Sequence, residues 1–148
     1  MNSGDIPVEI LLVEDNEGDI RLTKEAFRES MVWNHMNVVR DGAEALAFLR
    51  REGKYTDAIR PGIILLDLNL PKRSGIEVLE EIKRDDELKH IPVVVLTSSQ
   101  AEQDILNSYN FHANCFISKP LDLEQFLQVV QSIKDFWLTI VKLPPASY

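Results

Sequence analysis

Five side chains that could take part in a reaction stand at the ends of short apolar runs. Glu14 and Asp15 follow the first run, Asp67 ends the third, Thr97 closes the fourth and Lys119 follows the fifth. If these runs are parallel strands of one sheet, their carboxyl ends lie at the same edge, where such sheets bind ligands. The sequence therefore predicts three carboxylates, one hydroxyl and one ammonium group at a single site.

This set of groups indicates metal-assisted phosphoryl transfer. Carboxylates in contact range repel each other, so we expect a cation beside them. Oxygen ligands without cysteine or histidine favour Mg²⁺, for which Mn²⁺ or Ca²⁺ can substitute. A carboxylate beside bound Mg²⁺ can attack phosphorus and form an aspartyl phosphate. The transferred group carries charge on three oxygens, which a metal ion, the Lys119 ammonium and the Thr97 hydroxyl would stabilise.

Taken singly, each of these residues has an ordinary structural explanation. An aspartate at a strand end is often a helix cap, a Lys-Pro pair is usually a turn, and a threonine in a buried strand normally packs. Their joint occurrence, in this order and at the ends of separate strands, is what favours a site.

The elements that would position these groups alternate along the chain. Continuous apolar runs predict strands of a parallel sheet covered on both faces, at Val8–Val13, Met36–Val39, Gly62–Leu66, Ile91–Leu96 and Cys115–Ile117. Helical spacing predicts helices at Glu17–Glu29, Gly42–Arg51, Gly75–Arg84, Ala101–Asn110 and after Asp122. Strict alternation of strands and helices implies a doubly wound α/β fold with right-handed crossovers.

Local signals support the helices. Three pairs have the spacing of a capping box or a close variant: Asp41 with Glu44, Ser99 with Glu102, and Asp122 with Gln125. In the second helix the spacing predicts a buried face made of Ala43, Leu46, Ala47 and Leu49.

Composition excludes several classes of function. The 148 residues carry a net charge of −8, and no dense basic run is present, which argues against direct binding of nucleic acid. The polar start Met1–Pro7 is not a signal peptide, and no apolar stretch approaches the length of a membrane span, so we expect a cytoplasmic protein. A lone cysteine, Cys115, excludes an intramolecular disulfide.

Four segments that carry the site residues resemble the receiver domains of two-component response regulators. They are LLVEDNEGD (Leu11–Asp19), IILLDLNLPKRSGIEVL (Ile63–Leu79), VVVLTSS (Val93–Ser99) and FISKP (Phe116–Pro120). The resemblance covers Ile6 to Trp137 and implies a flavodoxin-like, five-stranded parallel sheet with strand order 2-1-3-4-5. We expect a receiver domain over 8–137, an N-terminal tail over 1–7 and an apolar C-terminal extension over 138–148.

The resemblance also implies roles for the matching residues. Asp67 would be the phosphoacceptor, and Glu14 and Asp15 would hold Mg²⁺ together with Asp67 and the backbone carbonyl of Asn69. Thr97 would bond a phosphoryl oxygen, and Lys119 would pair with Asp67 and then with the phosphoryl group, next to a cis bond to Pro120. Phe116 would be the switch aromatic that turns inward when Thr97 moves. Glu14 stands where an aspartate is commoner, and Phe116 where a tyrosine is equally familiar.

The implied function is a single-domain response regulator that takes a phosphoryl group from a histidine kinase and signals by changing shape. It would not be an enzyme beyond its own phosphorylation and dephosphorylation. The opening EDNEGD, the inserted GKYTDAIRPG and the tail FWLTIVKLP resemble stand-alone receivers that partner phytochrome histidine kinases. Single-domain receivers of this type often pair through the last helix, so a homodimer formed by that helix, with Phe126 and Val130, and by the extension is one prediction. Packing of the extension on its own domain is the alternative.

Other interpretations of the site fit less well. Haloacid-dehalogenase-type phosphatases share the aspartyl nucleophile but carry a second aspartate two residues later on the first strand, whereas here Asn69 follows Asp67 on the third. A nucleotide-binding fold would need a glycine-rich loop where Glu14 and Asp15 stand. An interaction module without chemistry would have lost part of the set, and no member is missing.

Overall fold

The computed structural model describes residues 7–97, 101, 104, 115–119 and 122–136. Its strands are β1 (Val8–Val13), β2 (Asn34–Val39), β3 (Ile63–Asp67), β4 (Val93–Thr97) and β5 (Cys115–Ser118). Its α-helices are α1 (Glu17–Glu29), α2 (Gly42–Arg50), α3 (Gly75–Arg84) and α4 (Leu123–Phe136), with a 3-10 turn at Gly53–Tyr55. The helix predicted at Ala101–Asn110 lies outside the described residues except for Ala101 and Asp104, which are both helical.

The five strands form one parallel sheet in the order β2-β1-β3-β4-β5, which confirms the predicted doubly wound fold. Alternate residues of each strand face opposite sides of the sheet. Leu11, Ile64 and Val95 lie in the core layer under α2 and α3. Leu12 and Leu65 lie in the other layer, under α1 and α4. Because both faces are covered, β3 and β4 are apolar up to their last residues, Asp67 and Thr97, and both strands are buried along their whole length.

The starts of three strands differ from the prediction by one or two residues. β2 begins at Asn34, two residues before the predicted start, because an edge strand tolerates polar side chains that an apolar run does not include. β3 begins at Ile63, one residue after the predicted Gly62, and it ends as predicted at Asp67, which pairs with Leu96 of β4. β4 begins at Val93, directly after Pro92, rather than at Ile91.

The caps begin the helices as predicted, and the predicted face of α2 is partly wrong. The backbone N–H of Glu44 donates to Asp41 Oδ1 at 2.8 Å, and that of Gln125 donates to Asp122 Oδ1 at 3.3 Å. The Ser99–Glu102 pair lies outside the described residues. Within α2, Leu46 and Leu49 are buried, but Ala43 is exposed and Ala47 half-buried. Ala45 and Phe48 complete the buried face instead, because they pack with Leu46 and Leu49 in the core layer that contains residues of β1 and α3.

Two side chains named for the predicted dimer are already buried within one chain. Phe126 is 1% exposed and Val130 is fully buried, both within the core layer that α4 forms with Phe27 of α1. Neither side chain is therefore available to a second copy. The extension 138–148 lies outside the described residues, so its part in a dimer stays a prediction. Among the helices that the structure describes, none is long and apolar enough to cross a membrane.

One glycine allows the chain after Asp67 to pass close to a helix. Gly75 begins α3, and its backbone N–H donates to the carbonyl of Leu68 at 3.0 Å. A Cβ at this position would lie 2.4 Å from Leu68 Cα and 2.5 Å from the Asp67 carbonyl oxygen. Both are backbone atoms, which cannot rotate away as the end of a flexible side chain can.

We therefore expect Gly75→Ala to destabilise the protein by about 1–3 kcal/mol in urea unfolding, as overpacked sites do. The matched control is Gly18→Ala in the first turn of α1, where the nearest atom to the added Cβ is Asn16 Oδ1 at 3.3 Å. That substitution gains helix propensity and should be neutral or mildly stabilising. Equal unfolding midpoints for the two variants would contradict the close approach of α3 to the chain after Asp67.

Candidate functional site

Asp67 lies at the carboxyl end of β3 with only 2% of its surface exposed. Its two oxygens have different partners. Oδ1 accepts a hydrogen bond of 3.0 Å from the backbone N–H of Asn69, and Oδ2 accepts one of 3.2 Å from Lys119 Nζ. The orientation of the carboxylate is therefore fixed at the edge of the sheet. The turn after β3 binds one of its oxygens, and the lysine after β5 binds the other.

Two further carboxylates stand beside it at the end of β1. Glu14 continues the line of β1, and its backbone N–H donates to the carbonyl of Val39 at 3.0 Å. One oxygen each from Glu14, Asp15 and Asp67 lies within 4.8 Å of the others. Glu14 is fully buried, whereas Asp15 is exposed at the surface. The predicted acidic group therefore forms, with one member open to solvent.

Lys119 supplies the positive charge at this edge. Its backbone N–H donates to the Thr97 carbonyl at 2.8 Å, which ties the end of β5 to the end of β4. Its ammonium lies 2.8 Å from Glu14 Oε1, 2.8 Å from Asp19 Oδ2 and 3.2 Å from Asp67 Oδ2. Only 13% of the Lys119 side chain is exposed, so these interactions are weakly screened by solvent.

The crowding of charged groups changes the pKa values of Glu14 and Lys119. Burial, followed by the hydrogen bond and charge of Asp67, raises the pKa of Glu14 to about 7, against the opposing effect of Lys119. Burial alone would lower the pKa of Lys119, but its contacts with Asp19 and Glu14 and the charge of Asp67 outweigh burial and raise it above its ordinary value. One ammonium is thus insufficient to neutralise the carboxylates around it.

The site fits a divalent cation. Within the part of the chain that the structure describes, Glu14 Oε1 is buried and accepts no hydrogen bond, although Lys119 Nζ lies 2.8 Å away as an ion-pair partner. The three clustered donors are carboxylate oxygens, the ligands that Mg²⁺ and Mn²⁺ prefer. A divalent cation among them would coordinate Glu14 Oε1 and neutralise the negative charge that Lys119 leaves unbalanced.

The remaining predicted residues lie around this centre. Thr97 ends β4 with 1% exposure, one position beyond the Leu96 that pairs with Asp67. Asn69 is exposed, and its backbone N–H faces Asp67; its carbonyl as a metal ligand stays a prediction. Phe116 pairs with Val95 in the sheet, but its side chain lies outside the described part, as does Pro120 with its predicted cis bond.

Sequence reasoning missed one participant, Asp19. It lies in the first turn of α1, where an acidic residue is ordinarily explained by the helix dipole. It also belongs to the run EDNEGD, yet no spacing rule connects it with a lysine 100 residues further along the chain. Only the approach of β5 to the start of α1 reveals the contact.

Comparison with known proteins agrees with the fold. The sequence matches the response regulator receiver domain family over residues 10–131. It is 49% identical over 140 residues to the response regulator Rcp1 of Synechocystis sp. (strain ATCC 27184 / PCC 6803 / Kazusa), a match that spans 95% of each chain.

The fold of this chain is also similar to those of several solved response regulators and receiver domains. The phosphorylated cyanobacterial phytochrome response regulator RcpA is 55% identical with a TM-score of 0.79, over 90% of this chain and 95% of that one. The Mn²⁺-bound form of Rcp1 is 48% identical with a TM-score of 0.80, over 93% and 99%. The receiver domain of the sensor histidine kinase PA1611 from Pseudomonas aeruginosa PAO1, with magnesium in its active-site cleft, is 25% identical with a TM-score of 0.67, over 86% and 97%.

Proposed function

The chain belongs to the response regulator receiver family, and from this premise we propose that it is a single-domain response regulator phosphorylated on Asp67 by a histidine kinase. One observation carries the proposal. A buried strand-end carboxylate lies beside two acidic neighbours and within 3.2 Å of a lysine ammonium. This is the arrangement that a phosphoacceptor beside a divalent cation requires.

The chemistry follows from the positions of the groups. An Asp67 oxygen attacks the phosphorus of a phosphohistidine; the new O–P bond forms as the P–N bond breaks, and the bonding electrons return to the imidazole nitrogen. Glu14, Asp15, Asp67 and the Asn69 carbonyl would hold Mg²⁺, which when bound offsets charge on the phosphoryl oxygens. Lys119 supplies the fixed cation, and the Thr97 hydroxyl is the proposed donor to a phosphoryl oxygen.

The likeness to RcpA suggests the class of kinase. RcpA is described as a phytochrome response regulator, and it shares 55% of its residues with this chain over nearly its whole length. We infer a phytochrome-type histidine kinase as the phosphodonor. Phosphorylation would then change the surface near β4 and β5, with Phe116 as the switch residue, and an output protein would read that change.

The direct test is the mass of the intact protein after incubation with a phytochrome-type histidine kinase, ATP and Mg²⁺. We expect the mass of one added phosphoryl group, located on Asp67 by peptide mapping after borohydride reduction. A small phosphodonor in place of the kinase separates the two halves of the proposal. Modification by the small donor alone would contradict the choice of kinase, and no modification by either would contradict the phosphoacceptor function.

The metal half of the proposal predicts a stability effect. Mg²⁺ should raise the melting temperature of the protein because it binds only where Glu14, Asp15 and Asp67 are folded together. At about 100 times Kd, linkage gives about 2.7 kcal/mol of stabilisation. Asp15→Ala should abolish most of this gain. Asp57→Ala, which removes an exposed carboxylate from the loop before β3, should keep it.

Matched Na⁺ is the control for ionic strength. An equal response to Mg²⁺ in Asp15→Ala and Asp57→Ala would place the metal elsewhere.

A further inference from the structure

Lys119 has three carboxylate partners, and one of them belongs to neither the phosphoacceptor nor the predicted metal ligands. Asp19 Oδ2 lies 2.8 Å from the ammonium, nearer than Asp67 Oδ2 at 3.2 Å. Glu14 Oε1 is equally near at 2.8 Å. The two shorter distances therefore come from the β1–α1 side of the site, and the longest is the one to the phosphoacceptor.

The backbone of Asp19 is fixed in the first turn of α1. Its backbone N–H donates to the side chain of Asn16, the N-cap of α1, at 2.9 Å, and its carbonyl accepts from Thr23 Oγ1 at 2.7 Å. With 22% of its side chain exposed, it is also the partner that water can most readily solvate in place of lysine, because Glu14 is fully buried and Asp67 is 3% exposed.

Two of the three carboxylate oxygens within 3.2 Å of the ammonium belong to the β1–α1 side, so a shift of the ammonium toward a phosphoryl group on Asp67 would draw it away from that side. An ion pair on the β1–α1 side would then lengthen when the phosphoryl group arrives. The pair with Asp19 is the least costly to break, because solvent can replace the cation there. An ion pair that breaks on phosphorylation opposes the modification by its own free energy, because it stabilises only the unphosphorylated state.

We propose that Asp19 is a positioning residue that holds Lys119 toward α1 in the unphosphorylated protein and competes with the phosphoryl group for its ammonium. This inference rests on the proposed function. It assigns Asp19 a part in setting the balance between the unphosphorylated and phosphorylated states, with no contact of its own to the reacting atoms.

The test is the affinity for beryllofluoride, a phosphoryl mimic that binds a carboxylate oxygen, in saturating Mg²⁺. We expect Asp19→Asn to bind it about three- to tenfold more tightly than the parent, a coupling of the size seen between contacting charged groups. Asp19→Glu, which keeps the carboxylate, should return toward the parent value. Glu17→Gln removes a charge from the same helical turn, where it pairs with Arg40, and should leave the affinity unchanged.

A double-mutant cycle with Lys119→Met separates positioning from simple charge removal. If Asp19 acts through the ammonium, Asp19→Asn should have no effect in the Lys119→Met background. Equal affinities for the parent and Asp19→Asn, or the same gain in both backgrounds, would overturn the proposal.

Two controls complete the design. Thermal melting of each variant checks that it is folded. If Lys119→Met does not fold, the beryllofluoride affinities of Asp19→Asn, Asp19→Glu and Glu17→Gln are compared instead. Equal affinities for Asp19→Asn and Asp19→Glu would then overturn the proposal. Failure of the parent itself to bind beryllofluoride would instead contradict the proposed function, and this inference with it.

Discussion

Asp67→Asn is expected to abolish phosphoryl incorporation from any donor while the fold stays intact. Asparagine has nearly the shape of aspartate, so it can still accept the 3.0 Å hydrogen bond from the Asn69 backbone N–H. Its amide lacks the anionic oxygen that attacks phosphorus. The substitution also removes a negative charge beside the buried Glu14, so the free energy of unfolding should hold or rise.

The measurement is intact mass after treatment with a small phosphodonor and Mg²⁺, for the parent, Asp67→Asn and Asp57→Asn. Asp57 is an exposed aspartate outside the site and controls for nonspecific modification. The parent and Asp57→Asn should each gain one phosphoryl group, and Asp67→Asn none. Incorporation in Asp67→Asn at the parental level would show that another residue is the acceptor.

The site was predictable because strand order converts sequence position into spatial position. Asp67, Thr97 and Lys119 are far apart in the chain, yet parallel pairing of β3 with β4 and of β4 with β5 places all three strand ends at one edge. Apolar runs and the residues that end them are enough to predict this much. The prediction was less accurate at β2, where polar edge residues conceal the start of the strand.

Side-chain partnerships were less predictable because they depend on rotamers and on depth of burial. The sequence places Glu14 beside Asp15 but does not show that one is fully buried and the other exposed. Nor does it show that Lys119 divides its charge among three carboxylates. Phe126 and Val130 illustrate the same limit on α4, since helical spacing gives their common face but not whether a neighbouring helix or a second chain covers it.

Lys119→Ala is expected to have the largest effect on stability among substitutions in the site. It leaves Glu14 and Asp67 buried without their common cation, and removal of one partner from a buried ion pair costs about 3–5 kcal/mol. The control is Lys89→Ala, which breaks an exposed pair with Asp86 and should change stability by less than about 1 kcal/mol.

Mg²⁺ should recover part of the stability that Lys119→Ala removes, because the metal ion offsets the charge that the ammonium no longer balances. Phosphorylation itself should still occur, since Asp67 and the acidic residues that would hold the metal are unchanged. What we expect to disappear is the response that follows. Lys119 is tied through its backbone to Thr97, and Lys119→Ala removes the contact between its ammonium and Asp67 that would sense the new charge.

Amide hydrogen exchange before and after modification measures this response along β4 and β5. In the parent, protection at the ends of both strands should change on phosphorylation, and in Lys119→Ala it should stay constant although the mass shows a phosphoryl group on Asp67. Equal changes in the two proteins would mean that the signal leaves the site by another route. The hydroxyl of Thr97, buried at the end of β4, would then be the next candidate for the link between Asp67 and the surface of the domain.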